Sequence, residues 1–490
     1  MNDRPERRPT GAEILADLHD AMLPKGLPVP QRGEIAARYL VAEDYTGAGG
    51  DWFDAIALPD GRVVLVVGDV VGHGIAASVV MNELKTLFEE RVRVDGDVPA
   101  ALALLDGRAT RTAEARSATL CAAVLDTATG ELTYTTAGHP PPVLVSGGSA
   151  SFLRTTGAGP LGSGQGFPAG RQVLTEGDVL LLYSDGLVER PGRAPTQSTV
   201  ELLRAAERCV GRVDGDEEQL VERLSRRVLE SLTRVSGYAD DITLLALQLV
   251  PPTPPLELHL AAVPDAVRTS RTELNAWLGS LRVSDLDRTA ILHAAGELVS
   301  NVVAHAYRSV DVANPVDVEA RLTPGGLVEL TVQDRGCWRR AENGEGGRGL
   351  ALASGFLDEL AIEHDDTGTR ARGSTRVSHP AVLMRGTASP DMEPRANIAG
   401  LGIDDDVLHV AGSLDLRTAE ELRHACARAS RGGTRPVTIN LSEVDLLSSA
   451  AVQALFDSRA AGPIEVVAPM GSPAQHVLDL VHLPYRSPEA

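Results

Sequence analysis

The chain has 490 residues and a formal net charge of −21 at pH 7, so two to four domains are expected and nucleic acid is disfavoured as a partner. No apolar run reaches the ~18 residues of a membrane span, and the charged N-terminus argues against a signal peptide. Four scattered cysteines form no disulfide framework, which predicts a cytoplasmic protein.

The first predicted element is a short amphipathic helix, Glu13–Leu23, within an N-terminal segment of residues 1–34. Its apolar side chains recur on one face, and Pro24 ends it. The pattern alone favours a capping helix, with a homodimer or regulatory helix as the alternative.

Strands dominate residues 35–250, with helical insertions near Ala76–Arg91, Val98–Glu114 and Glu201–Leu232. Turn-forming residues separate strands that either alternate or run apolar. The pattern predicts an α+β fold, a two-sheet sandwich flanked by helices.

Acidic residues stand at four strand ends of this region: Asp51, Asp69, Asp185 and the pair Asp240–Asp241. A lone Asp in a turn usually caps or is solvated, but four such positions together favour a metal site with oxygen ligands. Clustered carboxylates around Mg²⁺ or Mn²⁺ can activate a water for attack on phosphorus.

Five ordered motifs within residues 10–250 resemble those of the PPM-type serine phosphatases of the SpoIIE/RsbU group: Gly50–Asp54, Gly68–Gly74, Ala137–Pro140, Tyr183–Gly186 and Asp240–Thr243. Leu18–Pro24 is similar to that family's switch helix. The resemblance implies two Mn²⁺ or Mg²⁺ ions, with Asp51, Asp69 and the Val70 carbonyl as ligands. It implies that Asp185 completes the second position together with Asp240 or Asp241, of which Asp240 is favoured. The substrate would be a phosphoserine or phosphothreonine protein.

The proline-rich stretch of residues 251–255 reads as a stiff linker before a second domain, residues 256–380. A long helical pattern, Leu286–Tyr307, places Glu297, Asn301 and His305 on one face. Spacing alone is typical of an exposed polar face, yet a carboxylate and an amide one turn apart can also activate a hydroxyl and bind Mg²⁺.

This helix resembles the N box of RsbW-type anti-sigma factor serine kinases, and Asp334–Gly336 and Gly347–Leu350 are similar to their G1 and G2 boxes. These kinases belong to the GHKL ATPases, whose fold is an α/β sandwich. The resemblance implies ATP with Mg²⁺, Glu297 as general base, Asn301 on Mg²⁺ and Asp334 with Gly336 at the adenine. It implies a phosphate-binding turn and a threonine in the adenine pocket, namely Gly346, Gly347, Arg348, Gly349 and Thr375.

Residues 381–397 read as a second linker, and strand–helix alternation over residues 398–490 predicts a small α/β domain. Ser449 stands where a strand leads into a helix, a position typical of an N-cap. The segment resembles the phosphorylation loop of STAS anti-sigma factor antagonists. That resemblance implies Ser449 as the phosphoacceptor, with Ser448 as the alternative.

Together the three resemblances predict a partner-switching regulator of an alternative sigma factor. Its phosphatase would act on a phosphorylated STAS antagonist, either its own C-terminal domain or a separate protein, against an ATP-dependent serine kinase in the same chain. One alternative is an active phosphatase whose ATPase and STAS domains are only binding scaffolds. Another is a phosphatase that acts on an unrelated phosphoprotein.

Overall fold

The computed structural model describes most of the chain, namely residues 23–24, 26–41, 50–70, 75–112, 115–190, 195–210, 219–236, 240–307, 314–336, 347–385, 400–404, 407–414, 418–430, 435–447, 449–480 and 483–487. These residues form two compact units. The first takes the described parts of residues 1–253, 322–326 and 377–390, and the second takes those of 254–321, 327–376 and 391–490. No helix in the described part is long and apolar enough to cross a membrane. The predicted helix of residues 13–23 lies outside that part except for Leu23.

Two β-sheets form the first unit. One contains, in spatial order, β18 (Val382–Arg385), β2 (Gly33–Val41), β11 (Ile242–Leu249), β10 (Val179–Tyr183), β7 (Val143–Ser146) and β8 (Ser149–Phe152). The other contains β3 (Asp51–Ala57), β4 (Arg62–Asp69), β5 (Thr119–Asp126), β6 (Glu131–Ala137) and β9 (Gly170–Val173). Side chains of both sheets share one apolar core, so the sheets pack face to face as a sandwich.

Helices cover the outer faces of the sandwich. Helices α1 (Ile75–Asp95) and α2 (Val98–Ala109) lie against the sheet of β3, and α3 (Pro195–Cys209) and α4 (Leu220–Ser236) lie against the other sheet. With helices outside both sheets, strands such as β4 are buried on both faces, which explains its run of five apolar residues, Val63–Val67. One predicted helix, Glu201–Leu232, is two helices.

The described part of residues 377–390 belongs to the first unit. Strand β17 (Ser378–Pro380) pairs antiparallel with β1 (Gly26–Pro28), and β18 pairs parallel with β2 as an edge strand. His379 Nε2 also donates a hydrogen bond to Glu222 Oε1 at 3.0 Å. This differs from the predicted linker of residues 381–397, because residues 382–385 add backbone hydrogen bonds to an open sheet edge.

The second unit begins with a five-stranded sheet and its helices. The strand order is β12 (Leu256–Ala261), β13 (Pro315–Leu322), β14 (Leu327–Asp334), β16 (Gly368–Arg376) and β15 (Glu359–Asp365). Side chains of β13 and β14 alternate between buried and more exposed positions, so one face of the sheet packs inward. Helices α5 (Asp265–Ser280), α6 (Asp285–Asn301) and α7 (Gly347–Phe356) contact this sheet. A π-helical turn, Val302–Ala306, follows α6.

The same unit contains a four-stranded sheet in the order β19 (Gly400–Asp404), β20 (Val407–Leu414), β21 (Val437–Leu447) and β22 (Ile464–Val467). The helices are α8 (Thr418–Ala429), α9 (Ser449–Ala461) and α10 (Pro473–Leu480). Parallel pairing of β20, β21 and β22 needs crossover connections, which the intervening helices supply. The predicted α/β alternation is present in this region.

Candidate metal centre and nucleotide site

Strand register brings the first two predicted acidic positions together. Asp51 opens β3 and Asp69 ends β4, and the two residues are direct partners across this antiparallel pair. The Val70 carbonyl lies against Gly50, where a Cβ would collide with its oxygen. Glycine at position 50 therefore allows a backbone oxygen to stand beside the Asp69 carboxylate.

The other two acidic positions come from the second sheet. Asp185 begins a 3₁₀ turn directly after β10, and Asp240–Asp241 precede β11. Gly186 makes this approach possible, because a side chain there would collide with the Asp241 carbonyl. Thr243 Oγ1 donates to Asp51 Oδ2 at 3.0 Å and so joins the two sheets at the site.

The two carboxylates of the Asp240–Asp241 pair have different surroundings. Asp241 is buried, and its Oδ2 accepts a hydrogen bond from the Tyr39 hydroxyl at 2.8 Å. Asp240 is exposed, and its charge acts on both Asp69 and Asp185. These contacts favour Asp240 as the residue that faces a bound ion and Asp241 as a supporting residue.

Burial and crowding disfavour the charged form of the carboxylates in this patch. Burial, then the Asp69 and Asp241 charges, raise the pKa of Asp51 well above its usual value. Burial and the neighbouring Asp185, Asp240 and Asp241 raise the pKa of Asp69 to about 7. Burial, Glu189 and Asp240 also raise the pKa of Asp185. A divalent cation would relieve this repulsion, and carboxylate and carbonyl oxygens are the ligands that Mg²⁺ and Mn²⁺ prefer.

The carboxylates line one patch without converging on a single point. Among the described residues, no three His, Cys, Asp or Glu side chains form a compact metal-binding group. His139 has a structural role nearby. It is buried between Thr119 and the Tyr183 carbonyl, and burial lowers its pKa to about 4.

The predicted nucleotide residues gather around the end of α6. A Cβ on Gly349, near the start of α7, would lie 2.8 Å from Glu297 Oε2 and 3.7 Å from Asn301 Oδ1. The Asn301 Nδ2 is buried and has no hydrogen-bond partner in the described part of the chain. An unsatisfied buried amide is costly unless a ligand completes it, so the glycine turn and Asn301 fit a polar ligand such as a nucleotide phosphate.

Asp334 ends β14 and is buried. Its Oδ1 accepts a hydrogen bond from the Gly336 N–H at 2.7 Å, and burial raises its pKa against the hydrogen bonds from Gly336 and Thr369. A side chain on Gly336 would collide with the Ala306 carbonyl. Asp334 and Gly336 thus lie beside the turn that follows Asn301.

Thr375 does not lie with these residues. The β14–β16 register pairs Asp334 with Thr369 and Val328 with Thr375, six positions along the strand, or roughly 20 Å away. The prediction for Thr375 is therefore wrong in position, and Thr369 is the threonine that binds Asp334. Gly346 and Ser448 lie outside the described residues, and the side chains of Gly347, Arg348 and Ser449 are likewise not described.

Several supporting residues carried no clear sequence signal. Tyr39 and Ser184 reach the acidic patch through strand pairing that sequence spacing does not reveal. Ser184 hydrogen-bonds Asp51, and its Oγ accepts from the Thr243 N–H at 2.9 Å. Thr243 had one available signal, since it stands two residues after Asp241 at the start of the same strand.

Comparison with protein-family models gives three matches in order. Residues 59–250 match the Stage II sporulation protein E (SpoIIE) family, residues 260–373 the histidine kinase-like ATPase domain, and residues 401–483 the Mlab, STAS domain. These matches confirm the predicted fold class.

Two known proteins are similar to large parts of the chain. One is known from the crystal structure of the RsbU and RsbW domains of Rv1364c from Mycobacterium tuberculosis, whose sequence is 41% identical to this chain. The structural match has a TM-score of 0.67 and covers 75% of this chain and 99% of that one. Protein IcfG of Synechocystis sp. is 27% identical over 255 residues, which are 46% of this chain and 39% of IcfG. The chain therefore belongs to the family that fuses an RsbU-like PPM-type serine/threonine phosphatase to an RsbW-like GHKL-type ATPase, and a STAS domain follows them.

Proposed function

We propose that this chain is a partner-switching regulator of an alternative sigma factor that both adds and removes one serine phosphate. The single observation that carries the proposal is the acidic patch of Asp51, Asp69, Asp185 and Asp240, assembled from four strand ends. Burial, together with repulsion from Asp185, Asp240 and Asp241, raises the pKa of Asp69 to about 7, which is the electrostatic setting of a cation site.

In this proposal Asp51, Asp69 and the Val70 carbonyl hold one side of a two-ion Mn²⁺ or Mg²⁺ site, and Asp185 with Asp240 hold the other. When bound, the ions supply an activated water and positive charge for the phosphate oxygens. Thr243 and Ser184 keep Asp51 oriented through hydrogen bonds. Tyr39 holds Asp241 behind Asp240.

The opposing reaction belongs to the ATPase domain. Glu297 would accept the proton of a serine hydroxyl as that oxygen bonds to the γ-phosphorus of ATP and ADP departs. Asn301 would bind Mg²⁺, Asp334 with Thr369 would bind adenine, and the Gly347–Gly349 turn would hold phosphate. The adjacency of Gly349 to Glu297 and Asn301 supports this assignment.

The acceptor is Ser449, or alternatively Ser448, in the STAS domain of this chain or of a separate antagonist. A phosphate there adds about −1.5 to −2 charges at neutral pH, which would break an interface suited to a neutral serine. The ATPase domain would then be free to bind the sigma factor.

Phosphate release from a serine-phosphorylated STAS domain tests the phosphatase. We expect release in Mn²⁺, none after chelation with EDTA, and loss of activity in Asp185→Asn. Metal-independent release, or full activity in Asp185→Asn, would contradict the proposed ion site.

Labelled ATP distinguishes this proposal from a phosphatase with inert scaffolds. Label on the C-terminal domain that is absent in Glu297→Ala supports the kinase. Nucleotide binding without any labelling supports the scaffold alternative. Faster phosphate release from an unrelated phosphoprotein than from the STAS domain supports the alternative of a phosphatase with an unrelated substrate.

A further inference from the structure

A buried histidine connects the ATPase domain to the STAS domain inside the second unit. His293 lies on α6, one helical turn before Glu297, and is 3% exposed. Its ring stacks on Phe356 of α7, with centroids 5.0 Å apart and planes at 14°. Its Nε2 lies 3.1 Å from the backbone nitrogen of Leu447, the last residue of β21. Since a backbone N–H can only donate, Nε2 is the acceptor in this bond.

The position of this bond matters because both of its ends are next to predicted reacting groups. Ser449 is two residues beyond Leu447, a span of at most about 7 Å. Glu297 is four residues beyond His293, a rise of about 6 Å along the helix. One hydrogen bond therefore ties the end of the acceptor strand to a residue that lies one helical turn from the proposed base.

The imidazole is itself held in place, which makes the contact directional. Stacking on Phe356 restricts the ring plane, and α7 also carries Gly349 against Glu297 and Asn301. A backbone N–H donates one hydrogen bond, so His293 holds the Leu447 nitrogen at the end of β21. The same two helices that frame the nucleotide site thus also frame the strand end before Ser449.

We propose that His293 is a positioning residue that holds the end of β21, which leads to Ser449, beside the nucleotide site of its own chain. The proposal rests on the proposed kinase reaction, in which the serine oxygen bonds to the γ-phosphorus of ATP, the bond to ADP breaks and the serine proton passes to Glu297. His293 touches neither reactant in this scheme and acts through Leu447. It makes the chain its own preferred substrate.

Two substitutions separate the hydrogen bond from the packing. His293→Phe keeps an aromatic ring against Phe356 and removes the acceptor, whereas His293→Gln keeps an acceptor and removes the ring. Both are made in the Asp69→Asn background, so that the phosphatase does not erase the label. The measurements are the rate of label transfer from ATP to the peptide containing residues 448–449, at several protein concentrations, and the Kd for ATP.

We expect first-order transfer that is independent of protein concentration in the parent. His293→Phe should slow it about tenfold, as expected for loss of one hydrogen bond to a buried group, with the Kd for ATP within about twofold. His293→Gln should stay within about threefold of the parent. Manganese-dependent hydrolysis of p-nitrophenyl phosphate, measured with Asp69 intact, should be unchanged in both variants and reports that the chain is folded.

Equal transfer rates in the parent and His293→Phe would overturn the proposal. An equal fall in ATP affinity would also overturn it, because His293 would then serve the nucleotide site. If no label enters even the parent, the kinase proposal fails, and hydrogen exchange of residues 444–450 decides the docking. Faster exchange in His293→Phe supports the docking of the strand end on His293, and unchanged exchange refutes it.

Discussion

The metal centre and the nucleotide site both use carboxylates, but they hold them in different ways. The candidate metal centre takes acidic residues from four strand ends, and burial together with the neighbouring carboxylate charges raises the pKa of Asp51 and Asp69. The nucleotide site takes Glu297 and Asn301 from one helix, and Asp334 stands apart with a pKa raised by burial against two hydrogen-bonding neighbours. The first site is organised by charge and the second by hydrogen bonds, so the two should respond differently to the same kind of substitution.

The largest effect is expected where charge dominates. Asp69→Asn removes the carboxylate that faces both Asp51 and the second sheet, and we expect phosphatase activity to fall by more than about 100-fold. Phosphate release from a phosphorylated STAS domain in Mn²⁺ measures it. The matched control is Asp54→Asn, a buried carboxylate three residues from Asp51 that pairs with Lys85 at 3.6 Å. Equal losses in both variants would show that burial of charge, not ion binding, explains the effect.

At the nucleotide site, the next largest effect should come from Glu297→Gln. This substitution keeps a side chain of the same size beside Gly349 and removes the proposed base. The phosphotransfer rate should therefore fall by about 100-fold or more, while phosphatase activity should not change. Autoradiography after incubation with labelled ATP measures the transfer. The control is Glu329→Gln, since Glu329 is half-exposed on β14 and pairs with Arg321. Normal transfer in Glu297→Gln would remove Glu297 from its proposed role.

The acidic pair before β11 offers a finer comparison. Asp240→Asn should weaken Mn²⁺ binding by about 10- to 100-fold. Asp241→Asn should leave it within about threefold but cost about 1.5–3 kcal/mol of stability, because the Tyr39 hydroxyl loses a charged acceptor. Metal titration and thermal unfolding measure the two effects. The opposite order of metal affinities would make Asp241 the ligand.

The smallest effect separates two threonines on β16. Thr369→Val should weaken ATP binding by about tenfold, because it removes a hydrogen bond to the Asp334 carboxylate. Thr375→Val changes the same residue type six positions away and should change the Kd by less than about twofold. Fluorescence titration with an ATP analogue provides both values. A larger effect at Thr375 would contradict the strand register.

Sequence spacing was sufficient where the chemistry lies on one helix. Glu297 and Asn301 stand four residues apart, and an α-helix places such residues on one face whatever surrounds it. The face shared with His293 follows from the same rule. The contact between His293 and Leu447 does not follow from spacing, because it depends on the packing of a domain about 150 residues away in the chain.

Strand pairing was harder to foresee. The Asp51–Asp69 pairing, the Tyr39 bond to Asp241 and the choice of Thr369 over Thr375 all depend on register, which tertiary packing sets. The four acidic strand ends favoured a metal site, and the family resemblance supplied the division of its ligands between two ions. The four-residue strand β18 lies in the segment predicted as a linker, and its pairing with the open edge of β2 depends on tertiary packing.

The central claim is that one chain adds a phosphate to its own serine and also removes it. The most direct measurement is mass spectrometry of the peptide containing residues 448–449 after incubation with ATP and Mg²⁺, followed by addition of Mn²⁺. The account predicts phosphate on this peptide in Asp69→Asn that persists in Mn²⁺, rapid loss in the unmodified chain, and none in the Asp69→Asn/Glu297→Gln double variant. Absence of phosphate from this peptide in Asp69→Asn, or its persistence in the unmodified chain, would contradict the account.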